Sequence, residues 1–191
     1  MNTIKTMLSI TLVTLLSVVL VACQQKSDQS SEDLEKISES NRGQAYVVDE
    51  DSKPNILQIA RASEAHSTLA TAIEAAGVQN VLVNAGPLTV FAPNNKAFEK
   101  LPEGTVENLL KPENKSKLSK IITSHASPAN LHYDQLKDGM QVYLATGQYV
   151  EVEVKDGEKY VHGAKILDSI DASNGVIHIV DQVFLFDESS N

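Results

Sequence analysis

The side chains that could take part in chemistry are few and widely spaced along the chain. The 191 residues include one cysteine and five histidines, at positions 66, 125, 132, 162 and 178. No G-x-S-x-G, H-E-x-x-H, C-x-x-C, Walker-A or G-x-G-x-x-G pattern sets such residues in a catalytic or phosphate-binding arrangement. His132 and Asp134 are two possible metal ligands, but no third follows at metal spacing. We therefore predict no enzymatic activity, no catalytic residues, no metal and no cofactor.

The acidic and imidazole side chains of the second half of the chain fit structural positions. His178 lies among strand-forming residues, which predicts a hydrogen-bonded histidine of the core or of a sheet edge. Glu151 and Glu153 alternate with valines and therefore share one face of a strand. We interpret that face as solvated rather than as a carboxylate pair for acid–base chemistry.

The cysteine stands directly after an apolar segment. Lys5 is followed by residues 7–22, about 16 residues with no charge, which is short for a membrane-spanning helix and typical of a signal peptide. The sequence Leu20-Val21-Ala22-Cys23 resembles a bacterial lipobox. The resemblance implies cleavage between Ala22 and Cys23, a lipid on the Cys23 sulfur, and attachment to a membrane of the cell envelope. Gln24 in place of Asp favours the outer membrane, by analogy with Gram-negative sorting rules.

A polar segment separates this anchor from the rest of the chain. Residues 24–53 are rich in Ser, Gln, Glu and Asp and offer little to bury, so we predict that residues 23–53 are the lipidated cysteine and a flexible acidic tether. A flexible chain of this length spans roughly 30 Å. The short apolar patch at residues 45–48 could dock on the domain that follows.

The charge of the chain excludes one class of partner. The formal charge is −9, and removal of residues 1–22 with Lys5 would lower it by one, to −10. Contacts with phosphate need clustered Lys and Arg, so we expect no nucleic-acid partner.

Residues 54–191 contain few side chains that could take part in chemistry, and their first part shows helical periodicity. Apolar side chains recur at helical spacing from Pro54, and again from Leu69 to Ala76, where Gly77 is placed as the C-cap. Asn94 can cap a short helix. Residues 105–110 and 112–123 also have helical patterns.

Strand patterns dominate the second half. Residues 88–92 are a short apolar run that predicts a buried strand. Period-two alternation then predicts strands over 141–145, 148–155, 158–162, 166–170, 176–180 and 183–186, with turns at Thr146-Gly147, Asp156-Gly157 and Asn174-Gly175. Helices followed by antiparallel strands indicate an α+β fold.

Two segments carry a family resemblance. Residues 89–98 read TVFAPNNKAF, and residues 174–181 read NGVIHIVD, about 85 residues later. Both blocks resemble the signatures of fasciclin-like domains, and residues 118–125 resemble the family's intervening helix, with Ser124 where the family has Tyr. The resemblance covers about residues 54–187 and implies a fasciclin-like fold, an antiparallel β-wedge with a helical layer, for the domain at residues 54–191. The positions that carry the motif are Thr89, Phe91, Pro93, Phe98, His125, Asn174, Gly175, His178 and Asp181, all of which we interpret as structural.

The resemblance also implies a role in adhesion. Some animal members bind integrins through an Asp-Ile pair just before the second block; the corresponding positions here are Ser169 and Ile170, flanked by Asp168 and Asp171. Because the acid is missing from the pair, integrin binding is not implied. Residues Asp168, Ser169, Ile170 and Asp171 remain the candidate interaction site for a protein or polysaccharide of a cell surface or matrix.

Three functions remain in competition. The leading hypothesis is a lipid-anchored envelope protein that mediates adhesion or matrix binding. The second is a periplasm-facing accessory or small-ligand-binding protein. The third, an envelope hydrolase, would need a pocket with convergent polar groups and a perturbed titratable residue, which the sequence does not show.

Overall fold

The structure of the chain is a computed structural model that describes residues 53–83 and 86–186. The predicted signal peptide, the cleavage and lipidation site at Ala22 and Cys23, and the tether with its patch at residues 45–48 lie outside the described residues, apart from Lys53.

Six α-helices form within the described ranges. They are α1 (Ile56–Ala62), α2 (Ser67–Ala76), α3 (Gln79–Val83), α4 (Asn95–Glu99), α5 (Thr105–Leu109) and α6 (Lys115–Ser124), with 3₁₀ turns at Glu64–His66, Pro112–Asn114 and Tyr133–Gln135. The segments with helical periodicity all contain helices, which confirms those predictions. The short helix α3 lies where the pattern predicts none.

Side-chain caps explain where several helices begin and end. The predicted start at Pro54 is wrong by two residues, because Asn55 is the N-cap. Its Oδ1 accepts from Gln58 N at 2.9 Å, and Gln58 Oε1 accepts from Asn55 N at 2.8 Å. Asn94 caps α4 by accepting from Ala97 N at 2.9 Å. Gly77 ends α2 with a φ of 72°, as predicted.

In the part of the chain that the structure describes, seven strands form one sheet. They are β1 (Leu88–Pro93), β2 (Ala126–Ser127), β3 (Gln141–Tyr143), β4 (Tyr149–Lys155), β5 (Glu158–Val161), β6 (Ala164–Ala172) and β7 (Gly175–Val180), in the order β2-β1-β7-β6-β5-β4-β3. The fold is α+β, as predicted.

The sheet is mixed rather than antiparallel throughout. β1 runs parallel to β7, with Leu88 opposite Gly175 and Val90 opposite Ile177, while the other neighbouring strands are antiparallel. A parallel pair needs a long connection, and the chain from α4 to β6 supplies it. The two edges of the sheet also meet, because Ala145 N donates to Ala126 O at 2.8 Å. The wedge is therefore nearly a closed barrel.

Three tight turns join the strands from β3 to β6. Asp156 and Gly157 have φ values of 53° and 80°, as the predicted type I′ turn requires. Gly147 has a φ of 90° in the turn before β4. His162 and Gly163 form an unpredicted third turn with φ values of 52° and 77°.

Two hydrophobic layers hold these elements together. Inside the wedge, buried side chains from most strands surround Phe91 and Phe184; they include Leu136, Val142, Leu144, Val150, Val152, Val161, Ile166 and Val180. Ile56, Leu69, Ile73 and Leu82 of the helices form the second layer with Val90 and Ile177 of β1 and β7. Full burial of such a side chain contributes about 1.5–3 kcal/mol.

The predicted last strand at residues 183–186 is wrong. This segment has no strand pairing, although Phe184 is buried in the wedge. The backbone N of Phe184 donates to Nε2 of His125 at 2.8 Å. The His125 side chain therefore supplies the hydrogen-bond acceptor that a neighbouring strand would otherwise supply.

Candidate functional site

A polar groove of about 600 Å³ opens where β6 ends and β7 begins. Its walls come from the chain before α1, the segment before β1, the loop at residues 130–132 and the β6–β7 turn. The lining residues include Lys53, Asn55, Asn130, His132, Asp171, Ser173 and Asn174. We refer to this feature as the β6–β7 groove.

Thr89 of β1 holds the loop that forms one wall of the groove. Its hydroxyl donates to Ala129 O at 2.7 Å and accepts from Leu131 N at 2.9 Å. Thr89 is fully buried, so its hydroxyl group has no access to water as an alternative partner. These two hydrogen bonds fix the position of the loop relative to the sheet, although the loop itself contains no helix or strand.

His178 of β7 fixes the same loop from the neighbouring strand. Its Nε2 bonds Leu131 O at 2.8 Å, and its Nδ1 bonds the Ser169 hydroxyl at 2.7 Å. Because a carbonyl can only accept, Nε2 carries the proton and Nδ1 accepts from Ser169. The buried ring also stacks on Phe91, with 5.6 Å between centroids. Burial lowers the pKa of His178 and keeps the ring neutral.

The Ser169–His178 pair has the spacing of a nucleophile and its base, but its surroundings are those of a structural bond. His178 is 0% exposed. Ser169 is only partly buried, yet it does not line the β6–β7 groove. A nucleophile must meet a bound substrate at such a cavity. The bond therefore joins β6 to the loop at residue 131 through β7.

The floor of the groove is built from the second sequence block. Asn174 Oδ1 accepts from Ile56 N at 3.0 Å, and its Nδ2 donates to Leu82 O at 2.8 Å. At Gly175 a Cβ atom would lie 1.8 Å from Leu88 O, so only glycine allows β1 this close. The Asn-Gly pair thus ties both α1 and α3 to the sheet beside the groove.

His132 and Asp171 form the polar rim of the groove. Asn130 Nδ2 lies 3.2 Å from His132 Nε2, and His132 Nδ1 lies 3.2 Å from Asp171 Oδ1. The His132 and Asp171 side chains are 44% and 61% exposed. A pair this exposed contributes at most about 1 kcal/mol, so a ligand can replace either partner at low cost. Asp171 can accept, and Asn130 and Lys53 can donate, hydrogen bonds to a polar ligand.

The four residues of the candidate interaction site are not brought together. Asp168 and Asp171 lie three positions apart on a regular part of β6 and so point to opposite faces of the sheet. Asp171 reaches the groove, Ser169 bonds His178, and Ile170 is half-buried. Asp168 is exposed, and its Oδ1 accepts from Ser169 N at 2.8 Å. Of the two acids, only Asp171 belongs to the groove.

His125 joins α6 to the C-terminal segment. Its Nδ1 donates to Ile121 O at 2.8 Å, and its Nε2 accepts from Phe184 N at 2.8 Å. The ring stacks on Phe184, with 4.6 Å between centroids. Burial lowers the pKa of His125 to about 4, chiefly because the charged form would lose its water. His125 is therefore a neutral packing residue.

The remaining motif residues make structural contacts at or just after the C-terminal ends of β1 and β7. Asp181 Oδ1 accepts from Lys165 N at 2.8 Å, and its Oδ2 pairs with Lys100 Nζ at 2.9 Å. Pro93 is buried at the end of β1, and Phe98 is half-buried against the helices. These contacts lie away from the β6–β7 groove.

The described residues contain no group of three His, Cys, Asp or Glu side chains that could hold a metal ion. His132 is turned to Asp171 rather than paired with Asp134. Within residues 53–83 and 86–186, no helix has the length and apolar character needed to cross a membrane.

The first comparison with known proteins decides the family. The family model of the fasciclin domain matches residues 64–186, which include both sequence blocks. The chain belongs to the fasciclin domain family. This confirms the resemblance drawn from the two blocks.

Relatives of this fasciclin domain occur in bacteria and animals. Protein sll1483 of Synechocystis is 47% identical over 136 residues, which cover 71% of this chain and 75% of that protein. Transforming growth factor-beta-induced protein ig-h3 of Sus scrofa is 30% identical over 138 residues, which cover 71% of this chain and 20% of that protein.

A solved structure has the same fold. It is a FAS1 domain pair from the insect cell adhesion molecule Fasciclin I, with a TM-score of 0.62 and 15% identity, covering 70% of this chain and 51% of that chain. At this identity the likeness shows the fold alone. It confirms the fasciclin-like architecture.

Sequence reasoning missed most of the groove. The sequence indicates His132 only as a possible metal ligand beside Asp134, and it does not indicate Asn130 or Lys53. No local pattern marks these residues, because the contacts that gather them join Thr89 to Leu131 and His132 to Asp171, about 40 residues apart. Of the groove residues, the sequence predicts Asp171 from its position before the second block, and Asn174 and Gly175 as structural positions within that block.

Proposed function

We propose that the chain is a lipid-anchored protein of the cell envelope whose fasciclin domain binds a protein or polysaccharide partner in adhesion. The observation that carries this proposal is the β6–β7 groove, which places the exposed Asp171 carboxylate among amide, imidazole and ammonium groups. The family supports the same role, since a fasciclin-fold structure comes from an insect cell adhesion molecule. The role is binding, without a catalytic step.

The anchor in this proposal is Cys23. Its position after the apolar segment supports lipidation, and the tether at residues 24–53 would hold the domain within roughly 30 Å of the membrane. Several acyl chains acting together give stable anchoring, because each buried CH₂ contributes about 0.8 kcal/mol.

Labelling with a palmitate analogue tests the anchor. Cells that express the full chain should incorporate the label, and a Cys23→Ser variant should not. The wild-type protein should fractionate with membranes of the envelope, and outer-membrane separation should recover it there. Equal labelling of the two proteins, or a wild-type protein free of membranes, would contradict the anchor.

A pair of variants tests the groove. Asp171→Asn removes the charge at the groove, whereas Asp168→Asn removes the same charge from the opposite face of the same strand. Binding of the purified full chain to whole cells and extracted matrix should fall about tenfold for Asp171→Asn, as for loss of a charge-assisted hydrogen bond. Asp168→Asn should bind as the wild type does. Equal binding by all three proteins, each verified as folded, would contradict the proposal.

One observation favours a second candidate function, an inward-facing small-ligand protein. The groove volume of about 600 Å³ lies within the usual range for small-molecule sites, roughly 300–1,000 Å³. Protease added to intact cells separates the two candidates. Cleavage of the domain supports surface adhesion, whereas protection until the outer membrane is opened supports the periplasmic role.

A further inference from the structure

Two tyrosines stand exposed on the outer face of the sheet, away from the β6–β7 groove. Tyr149 is 66% exposed and Tyr143 is 45% exposed, whereas Phe91 and Phe184 lie inside the wedge. The two rings are directly opposite each other on β3 and β4, with 5.1 Å between centroids and 53° between planes. Large exposed aromatic side chains can indicate a binding surface, because burial of their apolar area would otherwise be favourable.

The neighbours of these rings are polar and planar. Gln141 and Glu151 form the next pair on the same face, two residues along each strand. The valines between them, Val142 and Val150, point into the core. Tyr143, Tyr149, Gln141 and Glu151 therefore form a two-by-two block, which we refer to as the tyrosine platform.

The charge around the tyrosine platform selects against anions. Glu151 forms no ion pair with another described residue. Among the cations that the strand register places on this face, Lys155 pairs with Glu153 and Lys165 with Glu158. An acidic ligand or a nucleic acid would therefore meet an uncompensated carboxylate.

The size of the apolar surface selects against a protein interface. A stable protein partner covers about 800 Å² with an apolar centre, whereas here the two rings are followed on the same face by the polar side chains of Gln141 and Glu151. A pyranose ring matches the block better. Its C–H bonds present one apolar face to the negative face of an aromatic ring, and its hydroxyl groups reach carboxylate and amide groups at the edge.

We propose that the tyrosine platform is a binding site for a neutral or amino-sugar polysaccharide. The rings of Tyr143 and Tyr149 stack on the sugar, while Glu151 and Gln141 bond its hydroxyl or amide groups. This site is distinct from the β6–β7 groove and does not depend on Asp171.

Depletion binding to three insoluble or gelled polysaccharides tests the site. The probes are cellulose as a neutral glucan, chitin as a polymer of an amino sugar, and calcium alginate as an acidic polymer. The protein is the full chain purified in detergent, and its variants are verified as folded by circular dichroism. The Tyr143→Ala/Tyr149→Ala variant removes both rings, and Tyr143→Phe/Tyr149→Phe keeps them. Tyr133→Ala is the matched control, since Tyr133 is also exposed but lies outside the platform.

The wild type should bind cellulose or chitin and not alginate. The double alanine variant should bind at least about tenfold more weakly, as expected for loss of stacking on two rings. The double phenylalanine variant and Tyr133→Ala should stay within about threefold of the wild type, a difference below 1 kcal/mol.

Three results would overturn the assignment: binding to none of the polymers, binding to alginate alone, or equal binding by the double alanine variant. Capture of an envelope protein that depends on the two rings, without polysaccharide binding, would replace the sugar with a protein partner and so also overturn it. The groove is tested by Asp171→Asn on whole cells and extracted matrix, and the platform by the tyrosine variants on purified polymers, so that failure of the groove and failure of the platform are distinguishable.

Discussion

At the scale of single residues, two neutral histidines hold parts of the chain that have little regular structure of their own. His178 connects β7 to the loop at Leu131, and His125 connects α6 to the segment at Phe184. Each ring uses one nitrogen as a donor and the other as an acceptor, which only the neutral tautomer allows. Both sites therefore depend on a buried imidazole that stays neutral, with a proton on only one nitrogen.

Removal of the Ser169 hydroxyl should destabilise the domain. Ser169→Ala would leave Nδ1 of the buried His178 without its donor, and an unsatisfied buried acceptor costs about 1–3 kcal/mol. Urea unfolding followed by circular dichroism measures the change in the free energy of unfolding. Ser169→Thr keeps the hydroxyl and suits a strand, so it should lose less than half as much. Equal losses in the two variants would show that packing, not the hydrogen bond, matters at this position.

Acid should destabilise the domain through His125. Its folded-state pKa of about 4 lies below the 6.5 of the unfolded chain, so the unfolded state binds more protons between these values. The free energy of unfolding should be greatest above pH 6.5 and fall by about 3 kcal/mol as the pH drops to 4. His178 has a lowered pKa as well and adds a loss of the same sign.

Urea unfolding at pH 7.5 and pH 4.5 measures the acid effect. A His125→Asn variant should be less stable at pH 7.5 but should lose less stability on acidification than the wild type. His132→Asn is the control, because His132 is exposed at the rim of the groove. An undiminished pH dependence in His125→Asn would contradict the assignment.

At the scale of elements, the parallel contact between β1 and β7 depends on one glycine. Leu88 lies opposite Gly175, where the β1 backbone comes too close for any side chain. The two sequence blocks begin at or next to this contact, so one pairing aligns Thr89 with Val176 and Phe91 with His178. The two sequence blocks therefore supply the two partners of one strand pairing.

Gly175→Ala should disrupt this pairing. The new Cβ would lie 1.8 Å from Leu88 O, so the backbone must move and the loss in free energy of unfolding should be at least about 3 kcal/mol. Gly104→Ala is the matched control, since Gly104 has a φ of 77° and open space around it. Its cost should be about 1–2 kcal/mol, the strain of a left-handed backbone alone. Similar losses in the two variants would show that conformation, not close approach, requires Gly175.

The elements also show how far the sequence predicts the structure. Caps and turns act within a few residues, so Gly77, Asn94 and Asp156-Gly157 were predicted in the places where the structure has them. Strand partners are chosen by the whole core, so the parallel neighbour of β1 was not predicted. The alternation at residues 183–186 is genuine, but its partner is the His125 ring rather than a strand.

The site was predicted less well than the fold for the same reason. The second block led to Asp171, while its partner His132 comes from a loop placed by Thr89 and His178. The two exposed tyrosines of β3 and β4 follow from alternation, but their pairing depends on the register across the turn at Gly147. Contacts that a local turn does not fix require the folded chain.

At the scale of the whole molecule, the bond from Ala145 N to Ala126 O turns a seven-stranded sheet into a nearly closed wedge. Without it, β3 would be a short free edge, which is prone to fray or to pair with another chain. The bond also connects the strands of the second half to the strand that follows α6.

Hydrogen exchange in the native state should report this closure. The Ala145 amide is in an exposed residue near a hairpin tip, yet it should exchange only through large-scale unfolding, as the Val152 amide in the core of β4 should. Two-dimensional NMR with a urea series gives the opening free energy of each amide. A value for Ala145 that is several kcal/mol below that of Val152 would show that the wedge opens locally.

The way the chain enters the groove has a mechanical consequence. Lys53 and Asn55 line its wall, and the first bonds behind them run from Ser173 N to Pro54 O, at 3.0 Å, and from Ile56 N to the Asn174 side chain, at 3.0 Å. A pull on the chain ahead of Lys53 reaches these bonds before it reaches the sheet. Tension would therefore pull the segment with Lys53 and Asn55 away from the groove while the strands stay paired. The affinity for a ligand bound in the groove would therefore fall under tension before the domain unfolds.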